Sequence, residues 1–205
     1  MALREMLSRP EVDVRAIEAY LDGLDNDTRI SEVTHLGRPA QRRLYAAVEG
    51  HRVIRITDFV PDSREPLSEV VFEGRNTLPA FTRFAKVFCR PDTPEAAAAG
   101  ELWGYNRNSG FVETTVGPGF FVAYDHGDSE VLVDYLRVPP NRPEHWPPIL
   151  NNDARLSFFV YNGTQDVVRG VSEHVCIGRA SRRGRIMNVW FVLCRDDSPQ
   201  AREGE

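Results

Sequence analysis

The chain has few cysteines and almost no lysine. Cys89, Cys176 and Cys194 are far apart and form no CxxC pair, so neither a disulfide framework nor a zinc site is implied, and we expect reduced thiols packed in the core. Lys86 is the only lysine, and the other 24 of the 25 basic residues are arginines, which indicates a G+C-rich coding sequence. With a net charge of -5, the chain also lacks the basic excess typical of proteins that bind nucleic acids.

Long apolar segments are missing as well. The longest uninterrupted apolar run, 189–194, is far shorter than the roughly 20 residues of a membrane-spanning helix. The first residues include Arg4 and Glu5 and never build the apolar region of a secretory signal. We therefore expect a cytoplasmic protein with no membrane partner.

The sequence also lacks the motifs of known catalytic and cofactor sites. It contains no GxSxG and no HExxH, and the glycines at 117–119 lead from one strand signal into another, with no helix that could hold phosphate. The acidic turn at 125–130 offers oxygen ligands without the spacing of an EF-hand loop, and hairpin turns favour the same residues. We therefore predict no cofactor and no metal site.

What the chain does contain predicts a single α+β domain over residues 1–196, with a polar tail at 197–205 that we expect to be disordered. Four strand signals joined by glycine-containing loops predict an antiparallel meander. Two further signals predict a C-terminal hairpin that is apolar on both sides. The meander strands are 101–107, 111–116, 120–125 and 130–137, and the hairpin strands are 172–180 and 186–194.

Helical spacing of apolar residues predicts two main helices, 77–89 and 153–169, packed against this curved, mostly antiparallel sheet. Three shorter helices are predicted in the N-terminal subregion 10–50, where capping residues and helix-ending glycines divide the sequence. Each carries only a narrow apolar stripe, so these helices must lie against a larger surface, which we take to be the sheet. A short strand is expected at 53–57.

The distribution of side chains between the two faces of the meander depends on the loop at 117–119. A two-residue loop would reverse the outer strand pair relative to the inner pair and place Glu113 among aromatic rings. We favour a three-residue loop because burial of an unpaired carboxylate is costly. The core face then holds Leu102, Val112, Thr114, Val116, Phe120, Val122, Tyr124, Val131, Val133 and Tyr135.

The opposite face of the meander is both aromatic and charged, and it is the predicted site. Glu113 and Asp134 on this face are candidates for general acid–base catalysis, because carboxylates beside aromatic rings can have raised pKa values. His174 is the third catalytic candidate, since it shares a strand face with Cys176, although core packing is the simpler interpretation of that pair. The candidate ligand-binding residues are Trp103, Tyr105, Arg107, Phe121 and Trp146.

Three functions stay open on this basis. The first is a non-catalytic module that binds a small, partly apolar ligand against the aromatic face. The second is a hydrolase, lyase or isomerase that uses Glu113 or Asp134. The third is an interaction protein that presents its helices or its apolar hairpin to a partner or, as a homodimer, to a second copy.

Overall fold

The computed structural model describes residues 2–107, 118–149 and 163–198, and its main element is a closed sheet. Each of its eight strands pairs antiparallel with the next along the chain, and the last pairs with the first, which makes an up-and-down barrel. The strands are β1 (Val70–Asn76), β2 (Arg83–Cys89), β3 (Glu101–Arg107), β4 (Phe120–His126), β5 (Glu130–Asp134), β6 (Thr164–Gly170), β7 (Val175–Arg182) and β8 (Arg185–Arg195).

In the part of the chain that the structure describes, five helices precede the barrel and a sixth lies between β2 and β3. They are α1 (Leu3–Ser8), α2 (Val14–Asp22), α3 (Asn26–Thr34), α4 (Arg38–Ala47), α5 (Ile56–Phe59) and α6 (Pro94–Ala98). The three short helices predicted within 10–50 are thereby confirmed as α2, α3 and α4. Asp13 and Asp25 cap α2 and α3, each accepting a backbone N–H bond of 3.0 Å. Within the described ranges, no helix has the length and hydropathy that a bilayer crossing requires.

The N-terminal helices cover the outer surface of β7 and β8. Leu3, Ile17 and Leu44 of these helices are fully buried, and they pack in one cluster with Ile177 and Val192 of the barrel wall. The predicted C-terminal hairpin is therefore confirmed, and it is apolar on both sides because helices cover one side and the barrel interior lies on the other.

The closed barrel shows that the predicted α+β sheet packed by two main helices is wrong. Most of the expected helix 77–89 is strand β2, and the part of the expected helix 153–169 that the structure describes is mainly strand β6. In β2, Phe84 and Phe88 face the interior, while Val87 between them belongs to a cluster on the outer surface. A strand buried on both faces has apolar residues at almost every position, so helical spacing fits it by coincidence.

The predicted order of the meander is also wrong. β3 pairs with β2 along one edge and with β4 along the other, so it has no edge for the segment 111–116, whose residues lie outside the described ranges. Tyr105 lies opposite Phe120 and not opposite Glu113. Direct pairing of β3 with β4 changes the faces of β4, so that Phe121 points inward and Val122 outward. Four residues face the interior as predicted, namely Leu102, Val131, Val133 and Tyr135.

One end of the barrel is closed by the segment that precedes β1. The strand expected at 53–57 is absent from this described segment, and the short helix α5 begins at Ile56, whose N–H donates to Asp125 at 2.8 Å. Ile54 and Phe59 are buried in the interior cluster, to which all eight strands contribute. The polar groups of the interior therefore lie toward the other end.

Two glycines in the barrel wall make space for interior aromatic rings. Gly104 of β3 lies opposite Phe121, and a Cβ atom at this glycine would lie 2.4 Å from the ring. Gly178 of β7 lies opposite Phe191, where the corresponding distance is 2.1 Å. Both values are far below van der Waals contact, so each ring occupies the space that a side chain on the neighbouring strand would fill.

We expect Gly104→Ala and Gly178→Ala each to lower the free energy of unfolding by about 1–3 kcal/mol, because the added methyl group forces a packed ring to move. Urea unfolding followed by circular dichroism measures this loss. Gly37→Ala is the control for an added methyl group without steric contact, since the nearest atom to its Cβ is 4.0 Å away, and as the N-cap of α4 it should itself lose no more than about 1 kcal/mol. Equal stability of Gly104→Ala and Gly37→Ala would contradict the packing described here.

Candidate functional site

The candidate site is centred on Lys86, the only lysine of the chain. Its side chain enters the barrel from the middle of β2 and is 1% exposed. Lysine is almost never fully buried without a partner, because removing an ammonium group from water is costly. The position therefore requires polar partners inside the barrel.

Three side chains supply those partners. The Lys86 ammonium donates to Asn106 Oδ1 at 3.0 Å and to the Tyr135 hydroxyl, and it lies 3.6 Å from Asp166 Oδ2. The Asn106 amide in turn donates to the Tyr135 hydroxyl at 2.8 Å and to the Gly119 carbonyl at 3.3 Å. Lys86, Asn106, Tyr135 and Asp166, named here the interior polar cluster, are all buried. Of the three ammonium donors, two make hydrogen bonds, to Asn106 and Tyr135, and the contact with Asp166 is an ion pair longer than a hydrogen bond.

Aromatic rings surround the ammonium group on several sides. The distance from Lys86 Nζ to the ring centroid is 4.8 Å for Phe121 and Tyr135, 5.0 Å for Phe191 and 5.8 Å for Phe84. Cation–π attraction is significant within about 6 Å, and it is stronger where water is excluded. The rings therefore stabilise the charge and at the same time form apolar walls around it.

Barrel closure brings the members of the cluster together from distant parts of the chain. Lys86 of β2 lies directly opposite Asn106 of β3, and Asp166 of β6 lies opposite Val133 of β5. Asn106 is the residue before the end of β3, and Tyr135 follows the end of β5. The cluster thus lies nearer the barrel end formed by the β1–β2 and β7–β8 connections, opposite the end closed by α5.

Burial shifts the titration of both charged groups. Desolvation lowers the pKa of Lys86 to about 8, and the Asp166 carboxylate acts in the opposite direction without cancelling the effect. Desolvation also raises the pKa of Asp166, against the influence of Lys86. Both shifts bring the proton affinities of the two groups closer together. At pH 7 an amine with this pKa is neutral in about a tenth of the molecules, and a neutral amine is a nucleophile.

The predicted ligand-binding residues do not share one surface. Trp103, Tyr105 and Trp146 are buried on the outer side of the barrel, where Tyr105 and Trp146 have ring centroids 4.7 Å apart. Arg107 forms a partly exposed ion pair with Glu73 at 3.3 Å. Of the five residues, Phe121 alone contacts the interior polar cluster.

The predicted catalytic residues are likewise separated. Asp134 is buried on the outer face, where it accepts the Leu136 N–H at 2.9 Å and the Tyr124 hydroxyl at 3.3 Å. His174 lies toward the opposite end of the barrel, in the turn between β6 and β7. Glu113 is outside the described residues.

His174 is bound to neighbouring charges. Its Nδ1 atom lies 2.7 Å from the Asp197 carboxylate and 2.8 Å from the Arg195 guanidinium. Burial, together with the charges of Arg29 and Arg195, lowers the pKa of His174. Burial raises the pKa of the Cys176 thiol, which keeps this thiol protonated and unreactive at neutral pH. His174 and Cys176 therefore do not form an activated pair. A catalytic role for His174 stays a prediction.

No protein-family model matches the sequence, and neither the search of curated proteins nor that of solved structures finds a match. Among the side chains that the structure describes, no three of His, Cys, Asp or Glu are grouped as metal ligands.

Sequence reasoning missed the cluster, although one signal was present. Lys86 lies between Phe84 and Phe88, and each of the other 24 lysine or arginine positions of the chain is an arginine. A single lysine in such a chain indicates a position where arginine does not serve in its place. Asn106, Tyr135 and Asp166 carry no comparable signal, because only the register of the closed barrel places them near Lys86.

We expect the single lysine to titrate near pH 8. Protein labelled with carbon-13 lysine should show one side-chain Cε resonance, whose midpoint lies well below the ordinary lysine pKa of 10.5 because burial penalises the charged form. A midpoint at or above 10.5 would contradict the desolvated environment described here.

The same shift has a defined sign for stability. Because the pKa of Lys86 is about 8 when folded and near 10.5 when unfolded, unfolding takes up a proton between these pH values. The loss of stability that comes from the lowered Lys86 pKa is therefore fully present below pH 8 and declines as the pH rises toward 10.5. The free energy of unfolding, measured against the double variant Lys86→Met/Asp166→Leu to cancel other groups, should increase across this window.

We expect Lys86→Met alone to be more destabilising than the double variant. The single change leaves Asp166 buried without its partner, which costs about 3–5 kcal/mol, whereas replacing both charges by apolar groups restores most of that loss. Arg107→Met is the matched control for loss of a cation, and its partly exposed pair with Glu73 should be worth less than about 1 kcal/mol. A double variant as unstable as Lys86→Met would show that the ion pair is not the origin of the effect.

Proposed function

We propose that the protein binds a small, partly apolar and uncharged molecule inside the barrel, with its polar group at the interior polar cluster. The observation that carries this proposal is the presence of four buried polar side chains, surrounded by aromatic rings, inside a closed barrel. Apolar walls with a few convergent polar groups are the usual composition of small-molecule sites.

The size of the barrel supports a small ligand. An eight-stranded barrel is just wide enough to be filled by side chains or to hold one small molecule. Its interior near α5 is filled by apolar side chains such as Phe59, Phe72 and Phe88, whose rings lie 5.1 to 5.5 Å apart. The end that contains the polar cluster is therefore the end at which a ligand would be bound.

The energetics of the ion pair give a second argument. A buried ion pair rarely stabilises a protein more than well-packed apolar residues of similar volume would. Lys86 and Asp166 occupy positions where Leu or Met would complete the apolar interior. Stability alone does not account for the pair, whereas a role in recognising a polar group does.

The charge of the cluster indicates the kind of polar group. Lys86 and Asp166 together have no net charge, so a carboxylate ligand would place a second negative charge near Asp166 without a second cation to balance it. The Lys86 ammonium lies 3.6 Å from Asp166, beyond hydrogen-bond distance, and the Asn106 amide can exchange its bond to Tyr135 for another, so both can donate to a carbonyl oxygen. An apolar molecule with a carbonyl group fits this arrangement.

Apolar side chains are exposed at the same end of the barrel. Phe81, in the β1–β2 connection, and Leu136, after β5, are 56% and 60% exposed. Phe81 also has a φ of 55°, which is an unfavourable backbone conformation for a bulky residue. Exposed apolar groups at this end of the barrel favour the approach of a partly apolar ligand.

The remaining functional predictions have less support. The hydrogen bonds of Asp134 to Leu136 and Tyr124 give this carboxylate a structural role at the end of β5. The cleft beside His174 has a volume of about 20 Å³, which is enough for a water molecule and not for a substrate. Acid–base catalysis and binding of a protein partner stay predictions.

We expect the neutral naphthyl ketone prodan, whose fluorescence reports polarity, to bind the protein with a blue-shifted emission. Tyr135→Phe removes a hydroxyl from the interior polar cluster and should weaken binding about tenfold, as expected for the loss of roughly 1.4 kcal/mol. Fluorescence titration measures both affinities.

Tyr124→Phe is the matched control for this experiment, because it removes a hydrogen-bonded hydroxyl from the outer face of the barrel. Its affinity for prodan should equal that of the unmodified protein. If prodan does not bind, or if both variants lose the same affinity, the interior is not the binding site. Native mass spectrometry of the purified protein provides an independent search for a bound small molecule.

A further inference from the structure

We propose that Lys86 forms a Schiff base with an apolar aldehyde held in the barrel, an inference that rests on the proposed binding function. The ligand class is thereby narrowed from carbonyl compounds in general to those that react with a primary amine. Apart from the N-terminal amine, Lys86 is the only primary amine in the chain.

The surroundings of Nζ suit this reaction. The rings of Phe121, Tyr135 and Phe191 have centroids within 5.0 Å of the nitrogen atom, so they exclude bulk water, which would otherwise hydrolyse an imine. Desolvation also favours the neutral form of the amine, and the lowered pKa of about 8 agrees with this geometry.

Asp166 can accept and return the proton that the reaction requires. Transfer of a proton from the Lys86 ammonium to Asp166, 3.6 Å away, gives a neutral amine and a neutral acid. The nitrogen lone pair then attacks the carbonyl carbon, and a proton moves from nitrogen to oxygen to give a carbinolamine. The acid of Asp166 protonates the hydroxyl group, which leaves as water. The products are a protonated imine, a carboxylate and one water molecule, and no oxidant or reductant is needed.

The other two members of the cluster lie where the carbonyl oxygen would be held. The Asn106 amide and the Tyr135 hydroxyl both contact Lys86 Nζ and hydrogen-bond each other at 2.8 Å. A carbonyl carbon within reach of Nζ places its oxygen near both groups, and the Asn106 amide can exchange its hydrogen bond to Tyr135 for one to the developing negative charge. After loss of water, the Asp166 carboxylate is the counter-ion of the protonated imine.

The experiment uses the full chain, trans-cinnamaldehyde and sodium cyanoborohydride, which converts an imine to a stable secondary amine. Intact mass and peptide mapping then show where the adduct forms. At pH 7 we expect one adduct on Lys86, formed about tenfold or more faster in the folded protein than in the same protein unfolded in urea. The N-terminal amine is the internal reference, and its rate should change little on unfolding.

Two variants separate the roles of the charged groups. Lys86→Arg keeps the positive charge and cannot form an imine, so its adduct should appear at the N-terminus only. Asp166→Asn removes the proton carrier and should slow the formation of the Lys86 adduct. The comparison of folded with unfolded protein needs no variant, so the test holds even if a variant does not fold.

The outcomes distinguish the two proposals. If prodan binds and cinnamaldehyde displaces it, but Lys86 is modified only after unfolding, the Schiff base is excluded and the binding function stands. If neither molecule binds, both proposals fail. Rapid modification of folded Lys86 together with displacement of prodan supports both.

Discussion

Closure of the sheet between β1 and β8 is the constraint on which the rest of the structure depends. Five residue pairs, from Phe72 with Arg195 to Asn76 with Phe191, join the first strand to the last. Without these pairs both strands would have free edges, and the inward side chains would face water. Closure makes an interior in which burial alters the pKa values of Lys86 and Asp166 and in which aromatic rings can surround an ammonium group.

The outer surface of the barrel is largely covered on two sides, which explains the composition of the strands. The N-terminal helices cover β7 and β8, and Trp146 packs over residues of β3 and β4 such as Tyr105 and Phe120. Strands covered in this way are apolar on both faces and show no simple alternation. The aromatic residues Trp103 and Tyr105, expected to bind a ligand, are therefore buried in an outer core, and the interior polar cluster lies on the inner face.

Local signals in the sequence predicted some elements and misassigned others. The helices α2, α3 and α4 were predicted correctly from the helical spacing of apolar residues, and Asp13 and Asp25, which the structure shows as the caps of α2 and α3, act over only a few positions. The strands β3, β4 and β5 were also recognised, but β2 and β6 were interpreted as helices. In β2 the apolar residues contribute to two cores at once, which imitates helical spacing. The candidate site was missed for a related reason, since its members come from four separated parts of the chain.

The sequence by itself determined the helices α2, α3 and α4, most strand positions and the isolation of a single lysine among arginines. These features depend on neighbouring residues, and their physical causes act within one or two turns or along one strand. Only the tertiary structure decided which side of each strand faces inward and which residues meet Lys86. A strand register is fixed by pairing with its neighbours and by closure of the whole barrel, and a shift by one residue moves every side chain to the other face.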